Sequence, residues 1–456
     1  MNKQDPRIHF IAIGGSIMHN LAIALHHQGC KITGSDDEIF EPSKSKLSEV
    51  GLLPERNGWD TDKITPELEY VIVGMHAQPD NPELQKAHEL DLKVYSFPEY
   101  IYQHSKDKQR IVIAGSHGKT TITAIILHVL KYFNRKFDYV VGAQIQNFDT
   151  MVKLSDAPTI IIEGDEYFTS PEDQIPKFLK YHHHIGLVSG IAWDHYNVFP
   201  TIDSYVGQFD KFADATPKGG SIIFNEGDDL ATMICGKERP DVNRIEYKTH
   251  PHEIVDGKTY LLSEDGKIPV QLFGKHNIQN IAGAKAVLER LSVISKDFYQ
   301  AIQTFTGASN RMELLKKNGS TYIYKDYAHA PSKLAATTKA LKEQYHGTQL
   351  VACLELHTFS SLNKDFIKQY KGSFDAADTA IIYYNPETLS LKNLEPIKKK
   401  EFKKAFKRKD LHVFTDSQKM EDFLLTQDWY QKNLLLMSSG NFNGLNLNSL
   451  SEKIIG

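Results

Sequence analysis

At 456 residues, 41% hydrophobic and 24% charged, the chain is long enough for about three domains, each with its own core. Its formal net charge of −4 leaves no basic excess to draw nucleic acid or an anionic membrane surface. The polar N-terminus lacks the apolar core of a signal peptide, and no apolar run is long enough to cross a bilayer, so a cytoplasmic protein without membrane insertion is expected.

Cys30, Cys235 and Cys353 lie far apart without metal-ligand spacing and read as free thiols of a reducing compartment. The first region opens with a strand over residues 8–13, then Gly14-Gly15 and an apolar helix pattern over 17–27. A second strand over 31–33 leads to Gly34-Ser35-Asp36-Asp37. This is the order of a Rossmann nucleotide unit: glycine turn, helix, second strand, and an acidic residue about 20 positions on for a sugar hydroxyl. The glycine fingerprint is incomplete, with Ala12, Ser16 and Asn20 at positions where glycines would complete it. By itself it suggests a dinucleotide oxidoreductase. A buried strand over 71–73 follows, and Asn81-Pro82-Glu83 starts a helix with proline in its favoured early place. Polar residues 103–109 read as a linker, which puts the first domain at 1–107.

Residues 111–121 carry the strongest signal. A β-branched run ends in Gly115-Ser116-His117-Gly118-Lys119-Thr120-Thr121, and an apolar helix pattern continues to 133. A phosphate loop needs this context. The strand delivers the loop, and glycines let backbone N–H groups approach phosphate oxygens. Lys119 can then reach the terminal phosphates and Thr120 can ligate Mg²⁺. Ile113 stands where the first glycine of the long form would be, leaving G-x-x-G-K-T. A tight glycine turn is the plainer alternative, but strand, loop and helix fall in register. The chain therefore reads as an enzyme that uses ATP. Residues 159–162 form a buried strand discharging Glu163, Asp165 and Glu166 at its carboxyl end, where ligands of open α/β sheets sit. A strand over 185–191 is expected to end in Trp193-Asp194-His195, so Glu163 and His195 occupy strand ends that could complete an Mg²⁺ shell. Helix capping or loop bonding is the alternative for either residue alone. His182-His183-His184 cannot converge on one metal ion, because neighbouring side chains of an extended segment alternate in direction.

Gly274-Lys275-His276-Asn277 precedes an alanine-rich helix, in which Asn277 and Asn280 share a face. Their amides suit a base edge and equally suit helix capping. Residues around 228–266 carry several turn signals and no assignment. The central domain is placed at 108–309 and the third at 310–456. In the third, strands over 322–324, 350–355, 379–384 and 434–437 alternate with helices, which argues for a small, mostly parallel sheet. Asp326 and His329 stand at one of its strand ends. Lys398 to Lys409 is strongly basic, but Phe402 and Phe406 can pack inward, so it reads as a solvated helix face rather than a phosphate patch.

In this order, the phosphate loop, Glu163, Asp194-His195, Gly274-Lys275-His276-Asn277 with Asn280, Arg311, and Asp326-Tyr327-x-His329-x-Pro331 resemble the Mur ligases. These are ATP-dependent enzymes that build the peptide of the bacterial cell-wall precursor. The resemblance covers essentially the whole chain. Thr33-Gly34-Ser35-Asp36, Phe40-Glu41-Pro42-Ser43, Glu163-Gly164-Asp165-Glu166-Tyr167 and Pro176 to Tyr181 resemble most the branch that joins UDP-N-acetylmuramate to a whole tripeptide, L-alanyl-γ-D-glutamyl-meso-diaminopimelate. The branch that joins it to L-alanine comes next.

The resemblance implies an α/β fold of three domains: an N-terminal Rossmann-like domain for the UDP-sugar, a central P-loop ATPase-type sheet, and a C-terminal Rossmann-like domain. It implies that Gly115, Ser116, His117, Gly118, Lys119, Thr120 and Thr121 hold ATP, and that Thr120, Glu163 and His195 hold Mg²⁺. His276, Asn277 and Asn280 would lie around the adenine, with Asp326 on the ribose and Arg311 on the γ-phosphate. Lys119, His195 and Arg311 would be the catalytic set. Gly14, Gly15, Ser35 and Asp36 would lie near the UDP-sugar, with His329 and His357 on the side of the amine substrate. Lys211 is the nearest match to a lysine that several relatives carbamylate, but it is one position out of register and is assigned no role. Glu355-Leu356-His357-Thr358-Phe359 has no arginine where relatives often carry one. The implied reaction activates a carboxylate as an acyl phosphate, which an amine then attacks. Ligation of free L-alanine, a nucleotide-dependent oxidoreductase and a non-catalytic nucleotide sensor stand as alternatives.

Overall fold

The computed structural model describes residues 5–170, 173–193, 198–307, 311–392 and 394–456. The chain divides into two units: Met1–Ile191, Ile202–Tyr247 and Ala286–Ser292 form one, and Ala192–Thr201, Lys248–Lys285 and Val293–Gly456 form the other. No helix among the described residues is long and apolar enough to cross a membrane.

The first unit contains two sheets. Strands β1 (Arg7–Ile11), β2 (Lys31–Ser35), β3 (Tyr70–Val73) and β4 (Val94–Ser96) form a parallel sheet in the order β2-β1-β3-β4. Strand β1 stops at Ile11, two residues short of the expected end, because Ala12 turns into the left-handed region at φ 66°. That turn lets the N–H groups of Ala12 and Ile13 both donate to the Ser35 carbonyl, at 2.9 and 3.1 Å. Ala12 accepts a conformation better suited to glycine, at a cost of about 1 kcal/mol. Its methyl is accommodated because Gly74 opposite has no side chain; a Cβ there would lie 3.0 Å away.

The second sheet comprises β5 (Gln109–Ala114), β6 (Asp138–Val140), β7 (Val152–Lys153), β8 (Thr159–Glu163), β9 (Ile185–Val188), β10 (Ser221–Asn225) and β11 (Asn243–Tyr247). Its order is β11-β10-β9-β5-β8-β6-β7, parallel throughout except for the β6–β7 pair. Strand β5 is central and buried from Arg110 to Ala114, as continuous Val/Ile runs require when both faces of a sheet are covered. Strand β9 ends at Val188 rather than at 191: Ser189 and Gly190 run beside the loop after β5, with Gly190 at φ 152°.

Asn20, a departure from the glycine pattern, has a structural role. It is buried on the helix Ser16–His27, donates to the Ser16 carbonyl at 2.9 Å and accepts from Met151 N at 3.0 Å. Gln28 at the end of the same helix donates to the Leu154 carbonyl at 2.6 Å. These amides join the first sheet's helix to the segment carrying β7, which a glycine could not do.

The second unit opens with an antiparallel meander of β12 (His252–Val255), β13 (Lys258–Ser263) and β14 (Gly266–Val270). This organises much of the stretch that sequence patterns left unassigned. Asp256-Gly257, with φ of 50° and 71°, makes its first turn, as an Asp-Gly pair favours. Strands β15 (Glu313–Lys317), β16 (Tyr322–Asp326), β17 (Gln349–Glu355), β18 (Thr379–Tyr383), β19 (His412–Phe414) and β20 (Lys432–Met437) form the larger sheet, ordered β15-β16-β20-β17-β18-β19. Only the β15–β16 pair is antiparallel. Leu350, Ala352 and Leu354 feed the core on one face, and Val351 and Cys353 that on the other. Phe402 and Phe406 are buried in the first of these cores, leaving the lysines around them outside.

Candidate functional site

The loop between β5 and the helix Lys119–Tyr132 has the backbone of a phosphate loop. Gly115 and Gly118 take φ of 124° and 81°, which L side chains rarely adopt. A Cβ on Gly115 would also lie 2.8 Å from Ser189 N, so the approach of the β9 segment demands glycine. Ser116, Thr120 and Thr121 are buried, and Gly118 caps the helix whose first residue is Lys119. The helix therefore begins with free N–H groups and positive dipole at the loop.

Strand register brings the acidic strand end to this loop. Ile113 on β5 pairs with Glu163 on β8, so Glu163 ends level with the loop's first turn. Its Oε1 accepts the Thr120 hydroxyl at 2.7 Å and its Oε2 accepts Gly142 N–H at 2.9 Å. A carboxylate and a hydroxyl in contact are the hard oxygen donors that Mg²⁺ takes. Asp194 and His195 lie outside the described residues.

Sequence reasoning left one residue of this cluster without a role. Glu166, 1% exposed, places both carboxylate oxygens 2.8 Å from Lys119 Nζ, which also donates to the Gly115 carbonyl at 2.7 Å. Burial disfavours the Lys119 ammonium, but Glu166, with the Glu163 and Asp165 carboxylates behind it, offsets this and the pKa is raised. Tyr205 joins the same network: its hydroxyl lies 2.8 Å from Ser116 Oγ and 3.5 Å from Glu166. Asp165 pairs instead with Lys177 at 2.8 Å. The sequence signals for Glu166 are its place among three carboxylates after a buried strand and in the Glu163–Tyr167 stretch of the resemblance.

His182, His183 and His184 reach three separate partners. The His182 ring packs on Tyr102, His183 bonds Thr216 Oγ1 at 2.9 Å, and His184 Nδ1 accepts Arg110 N–H at 3.1 Å. Burial pushes His183 down to about 3, so it is neutral.

At the carboxyl edge of the first sheet, Gly14 N–H donates to Asp36 Oδ2 at 2.7 Å, bringing Gly14, Gly15, Ser35 and Asp36 together. Ser35 is fully buried, and its hydroxyl has no hydrogen-bond partner among the described residues. Burial, then the Asp37 side chain, push Asp36 up to about 6, against the pull of the Gly14 N–H. A raised carboxyl means that the folded state holds the extra proton. Stability from Asp36 is therefore present at low pH and is lost as pH rises from about 4 to about 6. Asp36→Asn is accordingly expected to stabilise the protein at pH 8 by about 2 kcal/mol, with little gain at pH 4. Thermal unfolding at the two pH values checks this, and equal shifts at both would contradict it.

In the second unit, Asp326 ends β16. Its Oδ1 accepts Met312 N–H at 3.1 Å and Tyr327 N–H at 3.0 Å, and its Oδ2 accepts Thr337 Oγ1 at 2.8 Å. It thus fixes the turn that carries Arg311, whose guanidinium lies 4.8 Å from the Tyr327 ring centre. The Tyr327 ring meets His329 edge-on at 5.2 Å. His276 lies in the field of Asp326: burial lowers its pKa, opposed by the Asp326 and Glu343 carboxylates. Asn277 donates to the Phe273 carbonyl at 3.0 Å, and Asn280 reaches Asn277 Oδ1 at 3.5 Å; both are buried. Phe273 packs on Tyr324 at 5.6 Å, so this segment belongs with the larger sheet of its unit.

The carboxyl ends of β16, β20 and β17 are adjacent, since Met437 pairs with both Asp326 and Leu354. There Glu355, 3% exposed, accepts Phe442 N–H at 2.8 Å and the Ser438 hydroxyl. Gly440 passes so close that a Cβ would stand 2.9 Å from Glu355 Oε2 and 3.0 Å from His357 Cγ. His357 and the Ser438–Gly440 turn thus share one edge, the position where parallel sheets bind ligands.

Three family models match the chain: one described as the Mur ligase family, catalytic domain, over residues 7–109; the Mur ligase middle domain over 113–288; and the Mur ligase, glutamate ligase domain over 310–440. The chain is 32% identical over 389 residues to a UDP-N-acetylmuramate–L-alanine ligase of Caldicellulosiruptor bescii, covering 82% of each. It is 26% identical over 458 residues to a UDP-N-acetylmuramate–L-alanyl-γ-D-glutamyl-meso-2,6-diaminoheptandioate ligase of Haemophilus influenzae, covering 98% of each. In fold it is similar to a murein peptide ligase from Psychrobacter arcticus, with TM-score 0.64, 20% identity and 98% of each chain covered.

Proposed function

The chain belongs to the Mur ligase family, and from that premise we propose that it joins the lactyl carboxylate of UDP-N-acetylmuramate to the amino group of L-alanyl-γ-D-glutamyl-meso-diaminopimelate in the cytoplasm. The observation that carries the ATP-dependent step is Thr120 bonded to Glu163 beside the Gly115–Lys119 loop. The match over 98% of both chains with the tripeptide-ligating relative supports the peptide substrate.

The γ-phosphoryl group of ATP passes to the carboxylate oxygen, giving ADP and an acyl phosphate. The amine nitrogen then attacks the activated carbonyl, and the tetrahedral intermediate expels phosphate as the nitrogen loses its proton. Lys119 neutralises charge on the transferring group, and we assign Arg311 the same duty. Thr120 and Glu163 would hold Mg²⁺, together with His195; the ion supplies positive charge against the phosphate oxygens. We assign His276, Asn277, Asn280 and Asp326 to the adenosine part of ATP. Gly14, Gly15, Ser35 and Asp36 are assigned to the UDP-sugar, with the buried Ser35 hydroxyl as a waiting hydrogen-bond group. His329 and His357 are assigned to the amine substrate.

Ligation of free L-alanine is the second reading, favoured by the higher identity to the alanine ligase. Mass analysis after incubation with ATP, Mg²⁺, UDP-N-acetylmuramate and either amine separates the two. The expected product is the tripeptide adduct, formed with stoichiometric ADP and phosphate. Product from alanine alone would establish the second reading, and absence of product from either would remove both.

A further inference from the structure

Glu166 lies three residues beyond β8, is almost wholly buried, and has no part in the ligation chemistry above. Its two oxygens and the Gly115 carbonyl are the three acceptors around Lys119 Nζ among the described residues. An ammonium has three N–H donors, so this arrangement engages all of them. A triphosphate can therefore bond Lys119 only by taking a donor that Glu166 or the Gly115 carbonyl holds, and repulsion between the phosphates and the carboxylate makes Glu166 the one to yield. Both partners are anionic acceptors, and both gain most from a desolvated ammonium. An unpaired Lys119 in the empty loop would be costly, which gives the carboxylate a role there. The Tyr205 hydroxyl, 3.5 Å from Glu166 Oε1, offers the carboxylate another donor when Lys119 is withdrawn.

Resting on the ATP-dependent reading above, we propose that Glu166 is an anionic placeholder for the terminal phosphates: it holds Lys119 in the empty loop, yields it when ATP binds and reclaims it as ADP leaves. Glu166 is thus a positioning residue, acting through Lys119. The free energy of its pair with Lys119 is subtracted from the affinity for nucleotide, because a ligand must outcompete the contact it displaces.

Glu166→Gln keeps size and an oxygen acceptor but removes the charge. Calorimetry with Mg²⁺ and a non-hydrolysable ATP analogue is expected to show about tenfold tighter binding to this variant than to the unaltered protein. The analogue should also raise the unfolding temperature of the variant more than that of the unaltered protein. Unchanged or weaker binding would overturn the proposal, since loss of a merely structural contact does not tighten a ligand. Crystals of the unaltered protein with the analogue give a test that needs no variant. Lys119 bonded to a phosphoryl oxygen, with Glu166 out of hydrogen-bond reach, is expected; an intact Lys119–Glu166 pair beside bound phosphates would overturn it. If the unaltered protein bound no analogue at all, the ATP-dependent reading itself would fall, an outcome distinct from a placeholder that does not exchange.

Discussion

Lys119→Ala is expected to lower ATP-dependent product formation by about 10³-fold, measured as ADP release with both substrates saturating. The loss has two sources. The transferring phosphoryl group loses its charge partner, and Glu166 loses the cation that compensates it inside the protein. Removing one partner of a buried pair costs about 3–5 kcal/mol, so the variant should also unfold at lower denaturant concentration. The double variant Lys119→Ala with Glu166→Gln separates the two effects. It should recover most of the lost stability and none of the turnover. A single variant that kept turnover within about tenfold would remove Lys119 from the phosphoryl-transfer step.

A stability loss as large is expected at Glu83, a residue remote from the phosphate loop in sequence. His9 and Glu83 are both fully buried, with His9 Nε2 3.2 Å from Glu83 Oε2. His9 Nδ1 lies 2.8 Å from Thr33 Oγ1, and Glu83 Oε1 accepts Asp60 N–H at 2.6 Å. One carboxylate thus ties β1, and through it β2, to the helix Pro82–Glu89 and to the segment at Asp60. Glu83→Ala leaves the fully buried ring without its acceptor in a dry interior, and the half-buried Asp60 amide loses its acceptor too. The expected loss is about 3–5 kcal/mol in denaturant unfolding. UDP-sugar affinity should fall with it, because β1 and β2 lead into Gly14 and Asp36. A loss under about 1 kcal/mol would show that water or a rearranged neighbour replaces the carboxylate.

The phosphate loop was legible because everything that defines it is local. Glycine spacing, the Lys-Thr pair and the switch from a two-residue to a helical period all lie within one strand, one turn and one helix. Strands β16, β17, β18 and β20 were legible for a similar reason: buried parallel strands are runs of apolar residues with few competing signals. Strand ends were less so. Ala12 and Ile13 after Ile11 keep an apolar character, and after Val188 it resumes at Ile191, so only the turn of Ala12 and the pairing of Ser189 and Gly190 with the phosphate loop end those strands. Asn20 reads in the sequence as a missing glycine, whereas its amide oxygen accepts Met151 N–H, 131 residues away.

By itself the sequence determined the α/β architecture, the glycine-bounded loop with its Lys-Thr pair, Glu163 as that loop's acidic neighbour and membership of a ligase family, because each rests on short-range pattern or on an ordered set of motifs. Only the tertiary structure decided which groups each polar side chain bonds. Lys119 meets Glu166 because β8 lies beside β5 in a register that carries the chain past Glu163 and back over the loop. Asp326 spends both oxygens on Met312, Tyr327 and Thr337, and Asp36 holds its proton to about pH 6 because it is buried next to Asp37. Partners so distant along the chain leave no periodic trace. Burial and charge act through space, and only packing determines which groups share a dry site.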